Sequence, residues 1–336
     1  MKKKKQHYVP QCYLEAWTIP GGKQVNVYDK IKKTNRVNNI EDVAEKNYFY
    51  DIDFSKVIKE EKEIYGFDKE HDLSKIGEEQ YLENFFAENI EPKYKEFLKK
   101  LINFEYQDDI TNEEQYFFTT IEKLRFSYFI AIQEIRLKRV RDSINDLVDL
   151  LKQAFEGYQL SHEVEQMINV SKEEMPFIHG KMICDEKKIV ELARNFAMKN
   201  WVLLVNRTNS LFYTSDCPIG TIGHLEKQET IKNGLNSSGT IVYFPISSKV
   251  ILLMFDEKYS IKNKNFDRRI LSTDDLEDIE YFNRYIAVDA DRCIISKSND
   301  FNTVNKLLEE DEKIFDKPKT ILNYGGKTYY PSNIRK

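Results

Sequence analysis

Several features are scarce or missing from this 336-residue sequence, and each absence removes a class of protein. No apolar stretch suits a membrane. The longest runs, Trp201–Val205 and Val250–Phe255, fall far short of the roughly 20 residues a spanning helix needs. The opening Met1-Lys2-Lys3-Lys4-Lys5 has the charge of a signal-peptide n-region. Gln6-His7-Tyr8-Val9-Pro10 follows where an apolar h-region would stand, so secretion is not expected. Cysteines number four, at 12, 184, 217 and 293, with no C-x-x-C pair and no metal-ligand spacing to a histidine. A disulfide scaffold and a structural zinc site are therefore excluded, and a reducing, cytoplasmic setting is expected. The five histidines, at 7, 71, 162, 179 and 224, form no H-E-x-x-H and no deaminase-type pattern. The twelve glycines compose no Walker A loop, no G-x-G-x-x-G and no G-x-S-x-G.

What is present describes a globular chain. Hydrophobic residues make up 41% and charged residues 32%, and the length suffices for a substantial core. Aromatics reach 13%, with 20 Tyr and 21 Phe. Tyr and Phe among lysines would suit base stacking and phosphate contact. Tyr, Phe, Lys, Asn and Ile also all use AT-rich codons, so genome composition explains the same excess. A formal charge of −5 argues against a dedicated nucleic-acid coat, although it is compatible with a local basic groove.

Periodicity gives the organisation. Gln24–Asp29 alternates apolar and polar residues as a strand does, and extended character resumes at Tyr48-Phe49-Tyr50. Residues 53–78, rich in Lys, Glu and Asp, read as an exposed connector. Leu82, Phe85/Phe86, Ile90, Tyr94, Phe97/Leu98 and Leu101 have helical spacing, and Pro92 predicts a kink or a break among them. The longest helical signal begins at Thr111, with Glu114 in capping-box position, and runs to about Phe155. Phe117, Ile121, Leu124, Tyr128, Ile132 and Ile135 form its stripe. Between Phe126 and Leu137 it is apolar on nearly every side, which predicts burial, in the fold or against a second subunit as a homodimer. After a helix near Lys187–Lys199, two hairpins are expected: Trp201–Val205 with Leu211–Thr214, and Thr240–Phe244 with Lys249–Phe255. A helix from Leu276 to Ala290, a strand at Cys293–Ser296, a helix near Asn302–Phe315 and a polar tail close the chain. The class is α+β: a helical middle, with strands from the N-terminal and C-terminal parts joining in one mixed sheet. One domain over 1–298 follows if those strands share a sheet, with 299–336 as a C-terminal helix and tail.

Three local patterns could carry chemistry. His7-Tyr8-Val9-Pro10-Gln11 gathers an imidazole suited to proton transfer, a phenol and an amide. The same residues could equally brace a proline-fixed turn. In Phe212-Tyr213-Thr214-Ser215-Asp216-Cys217-Pro218 a strand runs into a turn that presents a carboxylate for a metal or a base, or makes an Asx-turn before proline. Ser215 or Cys217 as a nucleophile would need a paired base, which no spacing supplies. Gln133 and Arg136, three apart on a buried helix, could clamp a phosphate or carboxylate, or Arg136 could pair internally with Glu83, Glu91 or Asp216. Arg139 and Arg141 read as solvated helix charges.

Taken in order, His7-Tyr8-Val9-Pro10-Gln11, Gln133-x-x-Arg136, Thr214-Ser215-Asp216-x-Pro218, Phe244-Pro245-Ile246-Ser247 and Asn283, Ala287 and Ala290 resemble a bacterial family, domain of unknown function 4238 (DUF4238). The resemblance spans about residues 5–298. Cys217 stands where members usually carry Asn, and Ile246 where they carry Leu; the second change conserves volume. The resemblance implies an α+β bacterial cytoplasmic protein without assigning a reaction. Some relatives are associated with antiphage defence, which implies a nucleic-acid-directed effector. On that expectation the chain is a metal-assisted nuclease or other phosphodiester hydrolase. His7 is general acid or base, Asp216 and Glu83 hold Mg²⁺ or Mn²⁺, and Gln11, Gln133 and Arg136 grip phosphate. The rival expectation is a non-enzymatic sensor or binding module whose buried polar network specifies the fold. An enzyme would line an open pocket with His7, Asp216 and Arg136; a structural network would bury them among internal partners.

Overall fold

Strand-forming segments lie toward both ends of the sequence, and the computed structural model shows how they combine. It describes residues 3–51, 80–107, 115–223, 234–237, 239–256, 266–316 and 320–331. The expected connector over 53–78 and the capping box at Thr111 and Glu114 lie outside the described residues. From the N-terminus come β1 (Lys5–His7), α1 (Gln11–Leu14), β2 (Gln24–Asp29), β3 (Thr34–Asn39) and β4 (Glu45–Asn47). The helical middle comprises α2 (Tyr81–Phe85), α3 (Glu91–Ile102), α4 (Thr120–Ile135), α5 (Lys138–Ala154), α6 (His162–Ile168), α7 (Met175–Cys184) and α8 (Glu186–Ala197). Then follow β5 (Asn200–Asn206), β6 (Thr214–Ser215), β7 (Gly220–Gly223), β8 (Thr240–Ser247), β9 (Val250–Phe255) and β10 (Arg269–Thr273). The chain closes with α9 (Leu276–Asp289), β11 (Cys293–Ser296), α10 (Asn302–Glu310), β12 (Leu322–Tyr324) and β13 (Lys327–Tyr329).

The class is α+β, and the two ends do share a sheet. Strands β3-β2-β11-β6 form a four-stranded antiparallel sheet that joins residues near 30 to residues near 295. A second sheet, β10-β5-β9-β8-β7, is the mixed one: β10 runs parallel to β5 and its other pairs are antiparallel. The expected hairpin Thr240–Phe244 with Lys249–Phe255 forms as β8–β9, with a bulge between Pro245 and Ser247.

The other expected hairpin does not form. Val202–Leu204 pair with β9 and β10 instead, while Thr214 and Ser215 pair with β11 in the other sheet. Asn206 turns the chain out of the sheet, donating to the Ser210 carbonyl and accepting the Thr208 N–H, both at 2.8 Å. The backbone groups of the next segment are met by a side chain. Asn283 accepts the Tyr213 N–H at 2.8 Å and donates to the Leu211 carbonyl at 2.9 Å.

The long helical signal also divides. Its capping box is Thr119 with Glu122, and α4 ends at Arg136, after which Leu137 is extended and α5 begins. Phe126, Ile130, Gln133 and Ile135 are buried as expected, so this face is taken up in the chain's own core. Ile121 and Leu124 of the expected stripe are instead 62% and 56% exposed. Pro92 sits in the first turn of α3, where its missing N–H has no helical partner to lose. A π-helical turn, Phe86–Ile90, precedes it at the predicted interruption.

The core joins the layers through aromatic rings. Phe126 of α4 meets Trp201 of β5 at 6.1 Å and Phe244 of β8 at 6.5 Å, and Tyr13 of α1 stacks on Phe244 at 5.4 Å. Phe301, Val304 and Leu307 belong to the same core, so α10 packs onto the fold that precedes it. In the tail, Gly325 and Gly326 have φ of +58° and +74°, the left-handed pair that a tight hairpin turn requires, and Tyr324 meets Phe155 at 5.3 Å. Among the described residues no helix is long and apolar enough to cross a membrane.

Candidate functional site

Arg136 caps the C-terminal end of α4 and is 1% exposed. A buried guanidinium must find acceptors, because an unanswered buried charge is prohibitive. It donates to the His7 carbonyl at 2.6 Å, to Glu91 Oε1 at 3.2 Å and to the Tyr50 hydroxyl at 3.3 Å. Its plane lies 4.1 Å over the Phe86 ring. Tyr50 in turn donates to the Arg136 carbonyl at 3.0 Å. Burial works against the charge, but Tyr50 and Glu91 outweigh it and push the guanidinium pKa up. Of the three partners expected for an internal pair, Glu91 is the one that bonds it.

Around Arg136 stand most of the other residues expected to act together. Gln133 donates to the Tyr8 carbonyl at 3.3 Å, while its Oε1 is buried without a hydrogen-bond partner among the described residues. Gln11 Nε2 lies 3.5 Å from His7 Nδ1, and His7 Nε2 is likewise sealed and unpartnered among the described residues. Burial and then Arg136 lower the His7 pKa, which keeps the ring neutral at pH 7. Glu83 is on this side too. Its pKa is raised by burial, against the opposing pull of Arg136 and of Lys3, whose Nζ is 3.8 Å away.

Asp216 belongs to a different network. At the end of β6 it is 1% exposed, with Oδ1 accepting the Asp291 N–H at 2.9 Å. Its Oδ2 accepts the N–H groups of Arg292 at 2.9 Å and Cys293 at 3.0 Å. The carboxylate thus caps the start of β11 and locks it beside β6. Asp216 with Glu83 does not fit a divalent ion: one is spent on backbone amides, and the other sits among Arg136, Lys3, Glu91 and Asp51. Among the described residues no group of three or more His, Cys, Asp and Glu is arranged to hold a metal.

Arg139 and Arg141 are not solvated helix charges. Arg141 is 9% exposed, lies 3.7 Å over the Phe49 ring and donates to the Phe49 carbonyl at 2.8 Å and His179 Nδ1 at 3.2 Å. His179 accepts there, so its other nitrogen donates to the Ile135 carbonyl at 2.8 Å. Arg139 donates to Glu134 Oε1 at 2.8 Å and to the Ile219 carbonyl at 3.1 Å. The break between α4 and α5 makes that bond, since it turns residue 139 back over residue 134.

The Glu134–Arg139 pair lines a cavity of about 290 Å³ at β7, the edge strand of the mixed sheet. Asp289, 6% exposed, forms part of its wall and accepts the Tyr243 hydroxyl at 2.8 Å. Tyr243 lies directly across from Gly220 in the β7–β8 ladder. A Cβ at Gly220 would fall 2.1 Å from the tyrosine oxygen, so only glycine leaves room for that ring. Cys217, the departure from the family's Asn, is 2% exposed, and its thiol lies within electrostatic reach of Arg139 and Tyr243.

Neither this cavity nor a larger polar groove of about 450 Å³ between α9 and α10 is lined by His7, Gln11, Glu83, Gln133, Arg136 or Asp216. In the groove, Asn283 is committed to the backbone of residues 211 and 213, and Lys306 to Glu280 at 2.6 Å. The cavity residues escaped the sequence reading because Glu134 and Arg139, five apart across a helix break, match no helical pair spacing. Gly220, two residues beyond Pro218, was the available signal: a glycine opening a strand marks close approach.

Among curated proteins and among solved structures we found no match to the chain. A family model described as protein of unknown function (DUF4238) matches residues 5–300, which is nearly the whole chain, and the chain belongs to that family.

Proposed function

We propose that this chain is a non-enzymatic binding or sensor module, in which the residues around Arg136 and Asp216 specify the fold and the cavity at Glu134, Arg139 and Asp289 does the recognising. One observation carries the reading. Both carboxylate oxygens of Asp216 serve backbone amides, while Arg136 is buried among Glu91, Tyr50 and the His7 carbonyl. Groups held in that way stabilise a unique arrangement, whereas phosphoryl chemistry needs them turned toward substrate. The cavity offers what Arg136 and Asp216, each 1% exposed, do not: a guanidinium and a carboxylate that reach solvent, Arg139 at 22% and Glu134 at 23% exposed. The defence setting implied by the family resemblance is part of the proposal.

A metal-assisted nuclease remains the second reading, favoured by His7. Gln11 can only donate to Nδ1, so the neutral ring holds its proton on Nε2, and that N–H has no hydrogen-bond partner among the described residues to commit it. Purified protein incubated with DNA and RNA panels, with and without Mg²⁺ or Mn²⁺, separates the two. The binding-module reading expects no cleavage and lowered stability in Asp216→Ala. Cleavage that disappears in a folded His7→Ala or Asp216→Ala variant would overturn it. Phage plating on a broad panel tests the defence setting, and unchanged plaque counts would remove it.

A further inference from the structure

The apolar stretch of α4 from Phe126 is spent in the chain's own core, and the opposite side of the helix is left open. There Ile121, Leu124 and Arg125 stand at helical spacing and are exposed. Helix α8 shows the same division. Ile189, Ala193 and Phe196 are buried, while Lys187, Val190, Glu191, Arg194 and Met198 form one exposed stripe. Val190 and Met198 are 50% and 56% exposed. The two helices pack against each other and run antiparallel. Lys123 Nζ donates to the Lys199 carbonyl at 2.7 Å, and Tyr128 lies within electrostatic reach of Glu186. Both turn their buried sides into one core, so their open sides form one surface.

Exposed apolar side chains gathered on one surface mark a place where another surface docks. The charges among them say which. Arg125, Lys187, Glu191 and Arg194 have no ion pair and no side-chain hydrogen bond among the described residues. A polyanion or an anionic lipid surface would suit the three cations but meet Glu191 in the middle of the stripe. A second copy of the chain answers both signs. Glu191 and Arg194 lie equally far from the point between Leu192 and Ala193, and so do Lys187 and Met198. A two-fold axis through that point sets each Glu191 against Arg194 of the other copy, so the contact is made twice. It also lays each lysine stem along a methionine side chain.

We propose that α8 packs antiparallel on α8 of a second copy, forming a homodimer held by two Glu191–Arg194 pairs. Val190 and Met198 are covered at its centre, with Ile121 and Leu124 of α4 beside them. The dimer stands whether the chain binds a ligand or cleaves nucleic acid. At about 1.5 Å per residue the 12-residue α8 is about 18 Å long, and two helices side by side are about 20 Å across. Such a face is smaller than the roughly 800 Å² per partner of a standard interface, so the dimer is weak and dissociates in the micromolar range.

Sedimentation velocity of the full chain between about 1 μM and 1 mM tests this. The wild type should pass from monomer to dimer across that range. Glu191→Arg sets arginine against arginine, and Arg194→Glu sets glutamate against glutamate. Each variant should weaken the dimer by about tenfold or more. Mixed in equal amounts, the two variants again oppose unlike charges at both positions, so their heterodimer should recover wild-type affinity within a few-fold. Both positions are exposed, and circular dichroism should show the fold unchanged in each variant. A wild type that stays monomeric at about 1 mM, a dimer indifferent to both single variants, or a mixture no more associated than its components would each overturn the proposal. So would a monomer that pellets with phosphatidylglycerol vesicles, which would assign the face to a lipid surface.

Discussion

Replacing Asp216 by asparagine separates a structural carboxylate from a catalytic one. The native side chain receives three backbone N–H groups, from Asp291, Arg292 and Cys293, at 2.9 to 3.0 Å, and is 1% exposed. Asparagine is nearly isosteric but carries an amide nitrogen at one of the two oxygen positions. In the better orientation its oxygen serves Arg292 and Cys293, and its NH₂ faces the Asp291 N–H, donor against donor. One charge-assisted bond is lost, about 1.5–3 kcal/mol, and two others fall to neutral strength, about 1 kcal/mol each. The expected destabilisation is about 3–5 kcal/mol, a large part of the roughly 5–15 kcal/mol that folded proteins hold. Guanidinium unfolding of wild type and Asp216→Asn measures it, and amide hydrogen exchange at Asp291, Arg292 and Cys293 should rise with it. A catalytic carboxylate held in a strained site behaves oppositely, since its neutralisation is commonly neutral or stabilising. A loss below about 1 kcal/mol, without change in exchange at those amides, would refute the structural role.

Three further predictions follow from equally local geometry. Gly220→Ala drives a Cβ into the Tyr243 side chain, whose hydroxyl oxygen would be 2.1 Å away, and should destabilise by about 2–3 kcal/mol; Tyr243→Leu in the same chain should recover part of that loss in thermal unfolding. Asn283→Ala strips the Tyr213 N–H and the Leu211 carbonyl of their partners and should lower stability by about 2–4 kcal/mol, with raised exchange at the Tyr213 amide. His179 is 0% exposed, and burial with Arg141 lowers its pKa from 6.5 to about 4. The unfolded chain therefore takes up a proton that the folded chain refuses, so stability falls as pH drops from 6.5 to 4 and is unaffected by this group above that window. The difference approaches about 3 kcal/mol at pH 4, and His179→Gln should flatten the pH dependence of the unfolding midpoint between those values. An unchanged slope in the variant would assign the acid loss to other groups.

Much of the fold was legible because its signals are local. The β8–β9 hairpin, β11 at Cys293–Ser296 and α9 from Leu276 all follow from periodicity and apolar runs within single elements. The interruption expected near Pro92 is present as the π-helical turn Phe86–Ile90 just ahead of it. The failed hairpin at Trp201–Thr214 shows the limit. Both segments have strand-like composition, but the second takes its hydrogen bonds from Asn283, some 70 residues away. The same limit governs the candidate residues. His7, Gln11, Glu83, Gln133 and Arg136 do gather, while Asp216 anchors another sheet; nothing in the spacing of the motifs distinguishes those cases.

By itself the sequence determined the α+β class, most element positions and membership of a family that spans nearly the whole chain. It also marked Arg136 as a polar group whose burial demands partners, and Asp216 as a carboxylate presented by a strand-end turn. Which partners they obtain was decided only by the tertiary structure. Glu91, Tyr50 and the His7 carbonyl reach Arg136 from three separate elements, and the amides of residues 291–293 reach Asp216 from 75 or more positions away. The cavity at Arg139 arises likewise, where a helix break, an edge strand and the end of α9 converge. The physical reason is that periodicity reports the surroundings of a residue averaged over one helix or strand. The fate of a buried charge is set by single contacts between residues distant in sequence, and those exist only once the sheets have assembled.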